Sequence, residues 1–265
     1  MSANTSASQV TYGSYLRVPE LLQLQHAQST PEHPDELHFI VVHQSHELWF
    51  KLVLQDLERI VAALDADDPL TVCRILRRTN HVVAELVGQL ETLNDLPPWS
   101  LNEFRGYLGT ASGLQSEQFR EIELLSGLRD EAHLQILRRL ADGEIPPRVA
   151  RRLEQRSLAA ALLDAGARAG VEDWEEVYVH PERFGLFHLA CEALMDYDQL
   201  WVGWRRAHVT MIERILGPST RGTAGMALSY LLRTTEYRFL PQLWEIRHGL
   251  AVRGGGQLVD DGPRR

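Results

Sequence analysis

Cysteine is nearly absent. Cys73 and Cys191 are the only two in 265 residues, far apart and outside any CxxC pair, which leaves no basis for a disulfide scaffold or a cysteine zinc site. Lysine is rarer still: Lys51 stands alone among 27 basic side chains, a bias of coding rather than of task. Positive charge is in deficit overall. With 36 acidic residues and a net charge of -9, the chain lacks the basic surface that phosphate binding needs, so no nucleic-acid partner is expected. No apolar run reaches the roughly 18 residues of a membrane span, and MSANTSASQV lacks the charged and apolar regions of a signal peptide. A cytoplasmic protein with no membrane partner is the expectation. Missing too are alternating strand patterns, internal repeats, GxGxxG or Walker motifs and a GxSxG elbow.

What remains is helical. In Asp35–Leu57, the residues Leu37, Ile40, Val41, Leu48 and Leu52 recur at steps of three, four and seven, the period of one helix face. Asp35 after Pro34 reads as an N-cap or first-turn acid, and the helix is expected to run to about Ala63. Residues 17–28 read as a short amphipathic helix and 70–95 as another. Ser100–Leu101–Asn102–Glu103 has the form of a capping box for a short helix ending at Gly109. A turn through Thr110–Gly113 leads to a helix with Phe119, Ile122, Leu124 and Leu125 inward. Residues 128–170 read as two arginine-rich helices with solvated outer faces, 182–217 as a second long helix and 226–250 as a last one. The expected fold is an all-α bundle built on two long helices, with residues 11–250 as a single domain. Residues 1–10 are expected to be disordered and 251–265 a flexible tail.

Three places carry candidate chemistry. Phe39, His43, His46 and Glu47 fall three or four apart, so a ring, two imidazoles and a carboxylate share one helix side. His208 sits among Trp204, Met211 and Ile212 at helical spacing, with Arg205 and Arg206 beside it. One imidazole, an apolar wall and nearby cations suit a proximal haem ligand, although a lone core histidine usually bonds a carbonyl. Arg105, at a helix–turn corner, has the reach to clamp a carboxylate, although most such arginines are solvated. Two metal alternatives fail on spacing. His43 and His46 are three apart, where a zincin needs HExxH, and Glu245–His248 is one ExxH where a di-iron bundle needs two.

Read together, HPDELHFIVVHQSHELWFK (His33–Lys51), FRGYLGTASGLQSEQFRE (Phe104–Glu121), WRRAHVTMIERILG (Trp204–Gly217) and RFLPQLWEIR (Arg238–Arg247) resemble tryptophan 2,3-dioxygenase, as does TYGSYL (Thr11–Leu16). The resemblance spans about residues 11–250 and is weakest over 128–180. It implies an all-helical oxygenase with one haem b per subunit, ferrous when active, and O2 as co-substrate. On it, His208 is the proximal iron ligand, flanked by Trp204 and Arg205, and His43 the distal histidine that bonds the indole N–H. Phe39 lines the indole pocket, Arg105 binds the substrate carboxylate, and Ser112 and Gly113 close over the distal face. Thr223 meets the ammonium group. Tyr12, Tyr15 and Leu16 reach a neighbouring subunit's site in a homotetramer. His46 has no role in the motif and is read as structural.

Departures cluster at the substrate side. Leu101 stands where many members carry tyrosine, and the 218–226 loop reads GTAGM rather than GTGGS, so an ungapped match puts Gly222 at the ammonium position. The expected reaction is ring-cleaving dioxygenation of L-tryptophan, or a close derivative, to N-formylkynurenine. Single oxygenation of a substituted tryptophan to a 2-oxindole is the alternative, and a non-catalytic haem-binding paralogue a further one.

Overall fold

The computed structural model describes residues 9–129, 131–140, 143–217 and 228–253. Among these residues every regular element is helical. In chain order they are α1 (Tyr12–Leu16), α2 (Val18–Leu21), α3 (Glu36–Asp65), α4 (Pro69–Leu93) and α5 (Pro98–Phe104). Two 3-10 turns follow, Arg105–Leu108 and Gly113–Gln115. Then come α6 (Glu117–Ser126), α7 (Glu131–Leu140), α8 (Pro147–Glu154), α9 (Leu158–Arg168), α10 (Glu176–Val179) and α11 (Pro181–Phe184). The long α12 (Leu186–Leu216), α13 (Leu228–Thr234) and α14 (Pro241–Arg253) complete the set.

The centre is a layer in which α4 packs along both α12 and α3, while α6 and α9 pack on α3, α6 reaching α12 as well through Phe119 and Ser126. Val53, Leu57 and Ile60 from α3 meet Leu76, Val83 and Leu86 from α4 and Leu194 and Trp201 from α12, all almost fully buried. Burying a side chain such as Leu57 is worth about 1.5–3 kcal/mol, so this apolar layer sets how the two long helices face each other. Local signals start several helices. Asp68 accepts from Thr71 N at 3.0 Å ahead of Pro69, the N-cap and first-position proline arrangement. Asp198, buried on α12, accepts from the backbone of Phe239 (3.0 Å) and Leu240 (2.9 Å) and from Trp244 Nε1 (3.0 Å), anchoring the start of α14.

Several expected boundaries move. Helix at 17–28 is confined to Val18–Leu21, because Glu36 holds the next segment by accepting from Gln28 N and from Ser29. Asp35 occupies the N-cap position of α3 without capping it, and its carboxylate accepts from Ser100 Oγ at 2.7 Å instead. The Ser100–Glu103 capping box is therefore not formed: α5 begins at Pro98, Ser100 is buried inside it, and Glu103 pairs with His33. Residues 128–170 hold three helices rather than two, and two of their arginines, Arg148 and Arg152, pair with the buried Glu121. The 182–217 helix is divided by Gly185, at φ +52°, where a side chain would be strained. Residues 226–250 are likewise split, because Pro241 disfavours helical backbone just before it. The expected tails fall largely on residues 1–8 and 254–265, outside the described residues.

Candidate active site

One cavity of about 230 Å³ opens between α3, α6, α12 and α13, with the end of α4 and α5 closing one side. Its lining is mostly apolar, drawn from residues such as Phe50, Leu93, Leu101, Phe119 and Ile215. The helix period aims Phe39 and His43 of α3 into it, their rings 4.2 Å apart at 38°. Phe39 also meets Phe104 edge-on at 5.7 Å, so α5 braces the aromatic wall.

His43 Nδ1 lies 2.7 Å from the Phe39 carbonyl oxygen. A carbonyl only accepts, so the proton resides on Nδ1 and Nε2 keeps its lone pair. Burial pushes the His43 pKa down, against smaller raising effects of the Phe39 carbonyl and Glu47. The result is a neutral imidazole with one free acceptor, the group needed to take a hydrogen bond from a ligand N–H.

His208 enters from α12. Its pKa is pushed down to about 4, first by burial and then by His43, His46 and Arg120 nearby. It is thus neutral at pH 7, and no hydrogen bond engages its ring among the described residues. Trp204, one turn earlier, lies parallel to it with ring centres 5.3 Å apart and planes at 4°. Among the described residues no group of three or more His, Cys, Asp and Glu could hold a metal ion by itself. A single neutral imidazole on an apolar wall fits instead an iron already held by a macrocycle.

The cavity also has a charged end. Arg205 is 2% exposed and pairs with the buried Glu123 (3.2 Å), which in turn pairs with Arg120 (2.6 Å). Its guanidinium carbon lies 4.8 Å over the Phe239 ring. Arg205 Nε and Nη1 are buried with no hydrogen-bond partner among the described residues. Leaving charged donors unmet costs at least about 1–3 kcal/mol, so they mark a place for an anionic group such as a haem propionate. The donor set and the two unmet Arg205 nitrogens both fit haem.

Of the sequence-derived site residues, Phe39, His43, Ser112, Gly113, Trp204, Arg205 and His208 all line this cavity. Ser112 caps the Gly113–Gln115 turn by accepting from Leu114 N at 3.3 Å. Arg105 is not among the described lining residues. It begins the Arg105–Leu108 turn, directly after the Phe104 that packs on Phe39. Tyr12, Tyr15 and Leu16 lie on α1 and are exposed, apart from the cavity. Thr223, Gly222 and the 218–226 loop fall on or beside residues 218–227, outside the described residues. Arg120, Glu123 and Tyr230 line the cavity without having been singled out. The i,i+3 spacing of Arg120 and Glu123 was visible in the sequence but gives no depth.

An all-helical chain that encloses an apolar cavity, with one imidazole on each of two walls, belongs to the class of helical cofactor-binding enzymes. The family model described as tryptophan 2,3-dioxygenase matches residues 2–172 and 174–250. The chain belongs to the tryptophan 2,3-dioxygenase family. Among curated relatives, a tryptophan 2,3-dioxygenase of Nocardioides sp. is 37% identical over 94% of this chain and 98% of its own length. Those of Kineococcus radiotolerans and Herpetosiphon aurantiacus are 34% and 36% identical, over 90% and 91% of this chain and 91% and 98% of their own lengths.

Proposed function

We propose that this chain is a haem-dependent oxygenase that uses O2 to oxidise the indole C2–C3 bond of L-tryptophan, opening the ring to give N-formylkynurenine. The observation that carries this reading is the sharing of one apolar cavity by His43, whose Nδ1 proton is held by Phe39, and His208, neutral and without a hydrogen bond among the described residues, in a chain of this family. Haem b, bound once per subunit, supplies the activation of O2.

The protein's own residues bind, orient and exclude water. His208 would hold the iron, with Trp204 flanking it and Arg205 meeting a propionate. His43 Nε2 accepts the indole N–H, which fixes the C2–C3 bond toward the cofactor; in this role it orients rather than abstracts. Phe39 forms one wall of the indole slot. Arg105, one residue beyond the Phe104 that packs on Phe39, binds the substrate carboxylate. Ser112 and Gly113, in the cavity lining, would cover the bound substrate, and Thr223 would meet its ammonium group. The exposed Tyr12 and Tyr15, 78% and 76% accessible, together with Leu16, reach a neighbouring subunit in a homotetramer. No described helix is long and apolar enough to cross a membrane, and both cysteines are free, in keeping with a cytoplasmic setting.

The relatives reported all bear the dioxygenase name, and nothing comparable favours single oxygenation. Purified protein reconstituted with haem tests the proposal: tryptophan and O2 should disappear one for one as N-formylkynurenine forms. A haem-loaded, reduced protein that leaves tryptophan untouched would be a non-catalytic binder.

A further inference from the structure

His46 stands one turn beyond His43 on the same face of α3, yet both its ring nitrogens are engaged. Nδ1 lies 2.8 Å from the Val42 carbonyl oxygen, which places the proton there and leaves Nε2 as an acceptor. That acceptor takes the indole N–H of Trp204, Nε1 to Nε2 3.4 Å, across from α3 to α12. Both side chains are buried, at 6% and 9% exposure.

Trp204 is the ring that lies parallel to His208. Its other neighbours are Phe119, with centres 4.8 Å apart, Trp201 at 5.8 Å and Phe50 at 6.4 Å. Apolar contacts of this kind hold an indole in place without directing its polar edge; the hydrogen bond to His46 is what directs it. Metal-ligating histidines commonly have their orientation fixed by a hydrogen bond from the second ring nitrogen to a carboxylate or carbonyl. His208 has no such bond among the described residues, so its ring plane is set by the indole stacked on it.

We infer that His46 is a positioning residue that fixes the plane of the His208 imidazole through the Trp204 indole. The inference rests on the haem reading above, in which His208 would hold the iron. Sequence spacing offers His46 only as a twin of His43. The structure separates the two: one presents its free nitrogen to the cavity, and the other uses its nitrogen to hold the opposite wall.

The test compares His46→Phe, which fills the space without an acceptor, with His46→Gln, whose amide oxygen can replace Nε2. In the haem-loaded ferrous protein the readouts are the iron–histidine stretching band and the rate of haem loss to an excess of apomyoglobin. His46→Phe should shift or broaden the band and speed haem loss about fivefold, the effect of one neutral hydrogen bond, with the KM for tryptophan unchanged. His46→Gln should match wild type. In haem-free protein, the Trp204 indole N–H resonance, assigned by its loss in Trp204→Phe, should move upfield in His46→Phe alone. If wild type takes up haem and His46→Phe matches it in band and loss rate, the positioning role is overturned while the function stands. If His46→Gln is as perturbed as His46→Phe, the acceptor is not the cause and the role is overturned likewise. If wild type takes up no haem, the functional reading falls and this role with it.

Discussion

The indole of Trp204 lies parallel to the imidazole of His208, with ring centres 5.3 Å apart and planes within 4°. The face of the His208 ring is thereby covered by the indole, and no hydrogen bond engages its nitrogens among the described residues. Replacement of His208 by alanine should therefore abolish haem retention. The check is haem content by pyridine haemochrome after desalting, with circular dichroism to show that the helices persist. Full haem loading in His208→Ala would remove His208 from the iron.

Tryptophan binding should depend on pH through His43. Burial holds its pKa below the ordinary imidazole value of 6.5, so the Nε2 lone pair survives as pH falls past that value. Affinity should be flat from about pH 8 to 6.5 and decline only at lower pH, where protonation replaces the acceptor with a donor. The free amino acid does not change charge over this range. His43→Gln, which keeps an acceptor that does not titrate, should lose the acidic decline in a spectroscopic titration of haem with tryptophan. An unchanged decline would assign it elsewhere.

Arg105→Ala should weaken tryptophan binding by about 2–5 kcal/mol, the cost of leaving a carboxylate without its cation. Arg105→Lys should recover part of the loss, because a point charge replaces a two-pronged clamp. Equilibrium titration measures both. Unchanged affinity in the alanine variant would place the carboxylate on another residue.

Glu36 fixes the approach to α3. Burial alone would raise its pKa, but the N–H of Gln28 at 2.7 Å, the Ser29 hydroxyl at 2.5 Å and the Ser29 N–H at 3.1 Å outweigh it and lower the value below 4.5. A lowered carboxylate pKa stabilises the fold fully above the unfolded value and loses that contribution as pH falls through the folded one. Glu36→Gln should cost about 1–3 kcal/mol at neutral pH. Thermal melts across pH should show a shallower acid limb in the variant than in wild type.

The helical period made the α3 wall legible, because Phe39 and His43 at i,i+4 share a side wherever the helix packs. His208 with Trp204 one turn before it was legible for the same reason. Elements fixed by long-range partners were not. Asp35 and Ser100 both looked like helix caps, and each satisfies the other instead across 65 residues. The 128–170 stretch reads as two helices where three form, and its arginines read as solvated charge while Arg148 and Arg152 pair with the buried Glu121. The Arg120–Glu123–Arg205 cluster required knowing that α6 and α12 bury their charged sides together. No local pattern reports that. The hydrogen bond between His46 and Trp204 spans 158 positions, and spacing alone gives His46 no such partner.

Ring-cleaving oxygenation is most directly tested by running haem-loaded, reduced protein with L-tryptophan under labelled O2 and weighing the product. N-formylkynurenine carrying both atoms of one O2 molecule, formed without stoichiometric consumption of a reductant, is the predicted result. A product that carries a single labelled oxygen on an intact ring, and that needs a reductant for each turnover, would contradict it.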